Sequence, residues 1–379
     1  MDFSLTSDQK EYQDLAIKFA NNEMFPKAAH HDETGEFAHS IFEKAWSAGL
    51  LNTCIPSEYG GAGFTNLDAV IISEALAYGC MGMNSSMMAN DLALLPIVIA
   101  GSVEQKKKFL IPFTEKYCLA SFCLTEPENG SDAAGIKTTI VDKGDHYEIN
   151  GNKMWITNGG LADLYVVYGT KDPALKHKGI SAIVVPKGTA GIEIGKKEDK
   201  LGHRASDTRA ITFNKVKVPK ENLLGKEGEG WQIAMKTLDH SRPLVASSAV
   251  GGAQRAMELA IAYAKERKQF GKSISEFQAV QFMLAEMSMR TEASRMMVFQ
   301  SAWMADQKIR NTLVASQAKA MASDGLMATA TDALQIYGGY GYSKEYPIEK
   351  IFRDAKLMQI YEGTSQIQRI VIARELLKD

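Results

Sequence analysis

The sequence predicts an α+β protein in which a helical first part and a helical last part enclose a β-rich middle part. Helical periodicity dominates the beginning, alternating β-branched segments start near Leu119, and three long helical blocks follow Gly230. A chain of 379 residues, 45% of them hydrophobic, is long enough to form two or three domains. We therefore expect a helical domain at 1–120, a β domain at 121–229 and a helical bundle at 230–379.

The first part is predicted to be a series of helices. Thr6 precedes Gln9 by the three positions of a capping box, and helical periodicity runs from there to about Asn22. Further helical stretches are expected at about 41–50, 66–78 and 104–110, with turns at Pro56, Gly60, Gly61 and Gly63.

The middle part is predicted to be an antiparallel sheet. Its β-rich segments are 119–127, 138–156, 163–170, 181–186 and 209–219. Lys143-Gly144 and Asn150-Gly151 have the composition of hairpin turns. No long helical segment separates the strands, as parallel βαβ crossovers would require.

The last part is predicted to be a helical bundle. Its three long helical blocks are about 231–267, 276–308 and 312–337. Gly338-Gly339 ends the third block, and a final helix is expected at about 365–377.

Charge and hydropathy exclude several classes of partner. The 43 Lys and Arg residues nearly balance 45 Asp and Glu residues, so no overall field favours nucleic acid or an anionic membrane. No apolar run approaches the ~20 residues of a membrane span, and the first residues lack signal-peptide and transit-peptide composition. We expect no membrane span, and either a cytoplasmic protein or a mature mitochondrial matrix form.

Familiar metal and nucleotide motifs are missing from the sequence. The four cysteines form no CxxC pair and are interpreted as reduced thiols, and no histidine spacing indicates a metal site. Neither GxGxxG after a strand nor a P-loop is present. The prediction is that no metal is bound, and that any nucleotide cofactor is held in another way.

Five motifs together resemble the acyl-CoA dehydrogenase family, and most of all its medium-chain member. They are LTEPENGSD (124–132), KMWITNGG (153–160), ERKQFGK (266–272), LQIYGGYGY (334–342) and YEGTSQIQR (361–369). The resemblance implies a helical domain, a β domain and a four-helix bundle. It also implies a homotetramer that uses FAD to convert fatty acyl-CoA of medium or short straight chain to trans-2-enoyl-CoA, with electrons passing to an electron-transfer flavoprotein.

Within YEGT, Glu362 is the predicted catalytic base, because a carboxylate that loses hydration becomes basic enough to remove an α-proton. The plainer interpretation is that Glu362 only stabilises the last helix, because its negative charge interacts favourably with the dipole at the helix N-terminus. Some family members carry their base at the position occupied here by Ser241, which strengthens the choice of Glu362.

The resemblance assigns one group of FAD contacts to the β domain. Thr125 and Ser131 would bind the flavin edge and phosphates, and Trp155 and Thr157 would flank the ring. Phe122, Leu124, Gly130 and Ile156 belong to the same group. Asn129 stands where the family usually has a small residue. Taken alone, the turn around Asn129 would be an ordinary surface loop, and Trp155 and Thr157 would be core and edge residues of a strand.

A second group of FAD contacts would come from a neighbouring subunit and the C-terminal segment. It consists of Arg267, Gln269, Phe270, Gln278, Gln335, Ile336, Gly338, Gly339, Thr364 and Gln366. Arg267 has the planar guanidinium suited to phosphate. The plainer interpretation is a solvated helix charge and a glycine helix cap. Phe277 stands where the family often has His.

The acyl-CoA contacts implied by the resemblance are Ser131, Asp239, Arg242, Tyr361 and Gly363. Asp239 and Arg242 could instead be a surface ion pair. Met87, Met88 and Leu92 align with the acyl-tail pocket, although most methionines simply fill cores.

Other activities on the same scaffold stay open. The enzyme could be an oxidase, or could act on branched, short or dicarboxylic acyl groups, and some relatives are assembly factors with weak catalysis. A colourless protein without FAD would favour the last alternative.

Overall fold

A computed structural model describes residues 4–378, and the first part of that chain is helical as predicted. Its helices are α1 (Ser7–Phe19), α2 (Phe25–Thr34), α3 (His39–Ser47), α4 (Asn66–Gly79), α5 (Met81–Ala100) and α6 (Val103–Glu115). The predicted capping box of Thr6 and Gln9 is confirmed. The first helix does not stop near Asn22, because a π-helical segment at Ala20–Met24 joins α1 to α2.

Helix α5 was not predicted, because it is buried on nearly all sides and so lacks the one-sided periodicity of a surface helix. It is also the one helix of residues 4–378 that is long and apolar enough to cross a membrane, which corrects the expectation of no such run. Most of that helix is buried inside the protein, as expected for a core helix.

The middle part is an eight-stranded sheet with the order β6-β7-β3-β2-β4-β5-β8, in which β1 also pairs with β4. The strands are β1 (Ala120–Cys123), β2 (Thr139–Asp142), β3 (His146–Thr157), β4 (Leu164–Thr170), β5 (Ile180–Pro186), β6 (Ile192–Lys197), β7 (Thr208–Pro219) and β8 (Leu223–Leu224). Most pairs are antiparallel, but β1 and β2 both pair with β4 in parallel. Strands β2 and β3 lie between β1 and β4 in the sequence, and β3 lies between β2 and β4. Strands rather than a helix therefore make the connections within both parallel pairs.

Only one of the two predicted hairpin turns is observed. Lys143-Gly144 connects β2 to β3, and the Lys143 N–H donates to the His146 carbonyl at 2.9 Å. Asn150-Gly151 instead lies inside β3, where the register shifts between Ile149 and Gly151. A Cβ at residue 151 would lie 2.6 Å from the Thr138 Cα, so this irregularity in the strand requires glycine.

The last part is the predicted bundle with one additional short helix. It comprises α7 (Gly230–Glu266), α8 (Gln278–Asp306), α9 (Thr312–Tyr337), the unpredicted α10 (Ile348–Met358) and α11 (Ser365–Leu376). A two-strand hairpin of β9 (Lys268–Gln269) and β10 (Lys272–Ser273) follows α7. Helices α7 and α9 meet through buried small side chains such as Ala249, Ala253, Ala318, Ala322 and Ala330.

Helix α10 is connected to the other two parts by Arg353. The Arg353 guanidinium bonds Asp32 on α2 at 2.6 Å, Glu349 on its own helix at 2.7 Å, and the Leu201 carbonyl at 3.0 Å. These contacts hold α10 against the first and middle parts of the protein. The predicted α+β fold is confirmed.

Candidate active site

Glu362 lies in the loop between α10 and α11, in an unusual backbone conformation. Its φ is +51° and that of Gly363 is +92°, so two consecutive residues are left-handed. Gln368 Nε2 donates to the carbonyls of both residues at 3.1 Å, and Lys319 Nζ donates to the Gly363 carbonyl at 2.7 Å. A non-glycine residue rarely adopts this conformation, so these donors hold the loop in place.

The Glu362 carboxyl group is enclosed by α7 and α9. Ser241 Oγ donates to Glu362 Oε2 at 2.6 Å. Burial raises the pKa of Glu362 above its ordinary value, and the Ser241 hydrogen bond, Lys319 and Arg242 partly offset that rise. Glu362 is half-buried, so its carboxyl group has lost part of its hydration, and two cations lie nearby.

The two cations are themselves buried. Lys319 on α9 is 0% exposed, and burial lowers its pKa to about 8. Arg242 bonds Asp239 at 2.9 Å, and Asp239 also accepts from Thr312 Oγ1 at 2.7 Å. Burial lowers the pKa of Arg242, and its Nε is buried without a partner among the described residues. Arg242 is therefore the buried member of an ion pair whose Asp239 carboxylate is half-buried.

Hydrogen bonds fix the surroundings of Tyr361, the neighbour of Glu362. The Tyr361 hydroxyl donates to Met358 Sδ at 3.1 Å, and Ser85 on α5 lies close to that hydroxyl, with its own Oγ 2.7 Å from His203 Nδ1. His203 Nε2 lies 3.1 Å from the Asp354 carbonyl, which can only accept. His203 therefore carries its proton on Nε2, and Ser85 donates to Nδ1.

The β-domain candidates form a second surface, built by an irregularity in β3. Trp155 has a φ of +61° and is 56% exposed, and the register between β3 and β7 shifts between Lys153 and Ile156. The Met154 N–H donates to the Thr125 carbonyl at 2.9 Å, and Ser121 Oγ donates to the Thr157 carbonyl at 2.8 Å. The end of β1 and the MWIT segment therefore lie side by side.

This surface suits a flat aromatic cofactor. The strand irregularity directs a large indole side chain toward solvent, where a ring system could cover it. Phe122 and Thr125 are half-buried, whereas Leu124 and Ile156 are buried. In the following loop Gly130 and Ser131 are exposed, and the Asn129 amide nitrogen is buried without a partner among the described residues. These features fit a bound flavin.

The β3 surface is connected to the base loop through α5. Asn158 Nδ2, just after β3, donates to the Ser86 carbonyl at 3.0 Å, and Ser85 is the residue that faces Tyr361. Thr364 caps α11 by accepting from the Ile367 N–H at 3.1 Å, whereas Gln366 is exposed.

The remaining cofactor candidates lie elsewhere. Arg267 follows Ser241 by 26 residues along α7, which corresponds to roughly 39 Å at the rise of an α-helix. Around it, Phe270 is 94% exposed at the tip of the β9–β10 hairpin, and Tyr340 lies 5.3 Å from the Arg267 guanidinium. Gln269, Gln278, Gln335, Gly338 and Gly339 are also exposed, and Ile336 is buried. One subunit therefore does not bring this group to its own Glu362.

The acyl-tail candidates lie in part around a small cavity. Met87 and Met88 line it together with Leu244 of α7, one turn from Ser241, whereas Leu92 is not among the lining residues. The cavity has a volume of about 10 Å³, which leaves space for about one water molecule. Its described lining includes Asp91 and no basic residue.

Sequence reasoning missed several residues of the site, namely Lys319, Gln368, Ser85, His203 and Asn158. For Lys319 a signal existed, since a single Lys interrupts an alanine-rich helical face. The four cysteines are free, and residues 4–378 contain no group of three His, Cys, Asp or Glu side chains placed to hold a metal ion.

Comparisons with known proteins cover the whole of this arrangement. Models of the acyl-CoA dehydrogenase N-terminal, middle and C-terminal domains match residues 6–116, 121–216 and 228–377. The protein named "Probable medium-chain specific acyl-CoA dehydrogenase 2, mitochondrial" from Caenorhabditis briggsae is 45% identical, over 100% of this chain and 92% of its own.

Two solved structures have nearly the same fold. Butyryl-CoA dehydrogenase from Megasphaera elsdenii is 41% identical with a TM-score of 0.97. A chain of the structure described as the electron transferring flavoprotein of Acidaminococcus fermentans is 45% identical with a TM-score of 0.98. Both alignments cover 100% of each chain.

Proposed function

Because the chain belongs to the acyl-CoA dehydrogenase family, and so is an oxidoreductase acting on acyl-CoA, we propose that Glu362 is the base that starts trans-2-enoyl-CoA formation. The observation that carries this proposal is the enclosed Glu362 carboxyl group, whose pKa is raised by burial. Loss of hydration makes a carboxylate a stronger base toward the weakly acidic α-proton of a thioester.

The residues around Glu362 have distinct parts in this step. Ser241 donates to Glu362 Oε2 and so holds the carboxylate toward the substrate α-carbon. The Glu362 backbone N–H donates to the thioester carbonyl oxygen and stabilises enolate charge. Tyr361 and Gly363 belong to the same loop as Glu362 and contact the substrate there. The CoA moiety of the substrate is contacted by Asp239, Arg242 and Ser131.

The cofactor proposed for this site is FAD. When bound, it supplies the acceptor for the hydride that leaves the β-carbon. Thr125, Trp155, Thr157 and Thr364 would hold the flavin of their own subunit, beside Phe122, Leu124, Gly130, Ile156 and Gln366. The exposed indole and the orphaned Asn129 amide support this assignment.

Replacement of the base is the decisive test. Glu362→Gln preserves shape and hydrogen bonding but removes the carboxylate, so bleaching of the oxidised flavin band by octanoyl-CoA should slow by ~10³-fold or more. Anaerobic stopped-flow absorbance measures this rate. Flavin content and acyl-CoA affinity should stay unchanged, and Glu345→Gln, a change at an exposed glutamate outside the Glu362 loop, should bleach at the normal rate. Near-normal bleaching by Glu362→Gln would remove Glu362 from the mechanism.

Relocation of the carboxylate gives a complementary test. Ser241 Oγ lies 2.6 Å from the Glu362 carboxyl oxygen, so a carboxylate attached at position 241 can occupy nearly the same space. Combining Glu362→Gly with Ser241→Glu should restore part of the bleaching rate.

The proposed substrates are straight-chain acyl-CoAs of medium or short length. Met87, Met88 and Leu244 give the cavity adaptable apolar walls, and the small free volume means that a longer tail must displace these side chains. Asp91 at the cavity would repel a distal carboxylate. A kcat/KM series over C4 to C16 acyl-CoAs measures the preference, and a higher value for glutaryl-CoA or isovaleryl-CoA than for octanoyl-CoA would contradict it.

The proposed partners are an electron-transfer flavoprotein and further copies of this chain. The similarity to a chain in the Acidaminococcus fermentans flavoprotein structure supports the first. The distance along α7 between Ser241 and Arg267 supports a homotetramer in which Arg267 and its neighbours complete another subunit's FAD site. Bacterial and mitochondrial relatives support a bacterial cytoplasm or a mitochondrial matrix.

A further inference from the structure

Lys319 is a fully buried lysine on a helix face made of small side chains. Ala315, Ala318 and Ala322 lie on the same part of α9 and are also buried. Burial of an ammonium group is costly unless it has partners, and burial lowers the pKa of this lysine to about 8. Its ammonium group donates a 2.7 Å hydrogen bond to the carbonyl of Gly363.

That carbonyl belongs to the left-handed pair that carries the base. In this conformation the Gly363 carbonyl accepts from Lys319 of α9 and Gln368 of α11, whereas the Glu362 carbonyl accepts from Gln368. Gln368 divides its amide hydrogens between the two carbonyls, so Lys319 is the donor that contacts Gly363 from a different element. Strained backbone persists only where its surroundings hold it, and Lys319 provides such support.

We propose that Lys319 is a positioning residue for Glu362, which fixes the Gly363 carbonyl and places a positive charge beside the base. The inference rests on the proposed role of Glu362. Lys319 faces Glu362 together with Arg242 of α7, and Asp324 of α9 also acts on Lys319. Because a nearby cation favours the ionised carboxylate, loss of Lys319 raises the pKa of Glu362.

Two substitutions separate the hydrogen bond from the charge. Lys319→Met removes both, whereas Lys319→Gln removes the charge and retains a shorter amide donor. Flavin bleaching by acyl-CoA is measured from pH 5 to 9. The rate rises as Glu362 ionises, and because Lys319 itself loses its charge near pH 8, the rising limbs of the variants and wild type are compared below that pH. In both variants the rising limb of the plot of rate against pH should shift to higher pH by about one unit.

The plateau rate at high pH reports the positioning. It should fall by at least ~10-fold in Lys319→Met, and stay closer to wild type in Lys319→Gln. A crystal structure of Lys319→Met should show Glu362 and Gly363 leaving the left-handed conformation. Lys356→Met, an exposed change next to the same loop, should leave the limb, the plateau and the loop unchanged.

The inference would be overturned if the rising limb of the bleaching rate against pH were unshifted in both variants and the plateau rate of Lys319→Met equalled that of wild type. If Lys319→Met does not fold, an unshifted limb in Lys319→Gln has the same effect. The Glu362→Gln result separates the two claims. Normal bleaching by Glu362→Gln rejects the proposed base, whereas slow bleaching with unaffected Lys319 variants rejects only the positioning role.

Discussion

Burial decides the protonation of single residues around the base loop. His203 is 1% exposed, and burial lowers its pKa to about 4, since Lys350 and Lys200 add to the effect and Asp354 only partly opposes it. The ring is therefore neutral at physiological pH. It accepts from Ser85 and donates to the Asp354 carbonyl, and protonation would remove its acceptor.

This neutral histidine predicts a pH dependence of stability. In the unfolded chain His203 takes up a proton near pH 6.5, whereas in the folded protein it does so near pH 4. Its contribution is fully present above pH 6.5 and decreases as pH falls toward 4, by about 3 kcal/mol in total. His203→Asn should therefore flatten the dependence of the unfolding free energy on pH in this window.

Urea unfolding at several pH values measures that slope. His177→Asn, a change at an exposed histidine, should keep the wild-type slope. An equal slope in His203→Asn would show that His203 is not the buried neutral group described here.

At the scale of elements, β3 depends on an ion pair beneath its irregular end. Lys153 Nζ lies 2.8 Å from Glu126 Oε1 and 2.9 Å from the Leu124 carbonyl, and both side chains are buried. Burial acts to raise the pKa of Glu126, but Lys153 and the Lys137 N–H outweigh it and lower the pKa. The pair joins β3 to the LTEPENGSD loop, so it supports both edges of the proposed flavin surface.

Removal of one partner should be much worse than loss of an exposed pair. Lys153→Met leaves Glu126 buried without its cation, which costs about 3–5 kcal/mol of unfolding free energy. FAD affinity, measured by flavin fluorescence on dilution, should fall as the loop shifts. Lys137→Met, which breaks the exposed Lys137–Glu128 pair, is the matched control and should change stability little. Equal effects of the two variants would contradict the supporting role of Lys153.

At the scale of the whole molecule, one helix separates the two groups of proposed cofactor residues. Helix α7 runs from Gly230 to Glu266 as a single element, with Ser241 near its start and Arg267 at its end. A chain folded in this way offers the β9–β10 hairpin to another molecule. The exposed Phe270 at the tip of that hairpin is consistent with an interface.

We therefore predict that Arg267→Ala loosens FAD, because a bidentate phosphate contact from the neighbouring subunit is lost. Flavin absorbance per subunit after gel filtration measures occupancy, and light scattering measures the expected tetramer. Arg310→Ala, a change at an exposed arginine, should retain full flavin. Tight FAD at wild-type occupancy in Arg267→Ala, or a monomeric FAD-loaded protein, would reject the shared site.

Local sequence determined the order of helices and strands and the positions of the motifs. Thr6 and Gln9 form their capping box, and the third long block ends at Tyr337 as predicted, because such signals act between residues a few positions apart. Prediction from local sequence failed where the tertiary environment of a segment differs from the one that its residue pattern usually indicates. Helix α5 is buried on nearly all sides, and Asn150-Gly151 belongs to a strand because β3 continues along β7.

Only the tertiary structure decided how the base is held. Lys319 lies 44 residues from Gly363, Ser241 lies 121 residues from Glu362, and Ser85 lies 118 residues from His203. No local pattern encodes such contacts, since they form when separate helices pack. The raised pKa of Glu362 and the lowered pKa of Lys319 follow from that packing as well, because removal of water depends on every element around a group and not on its neighbours in sequence.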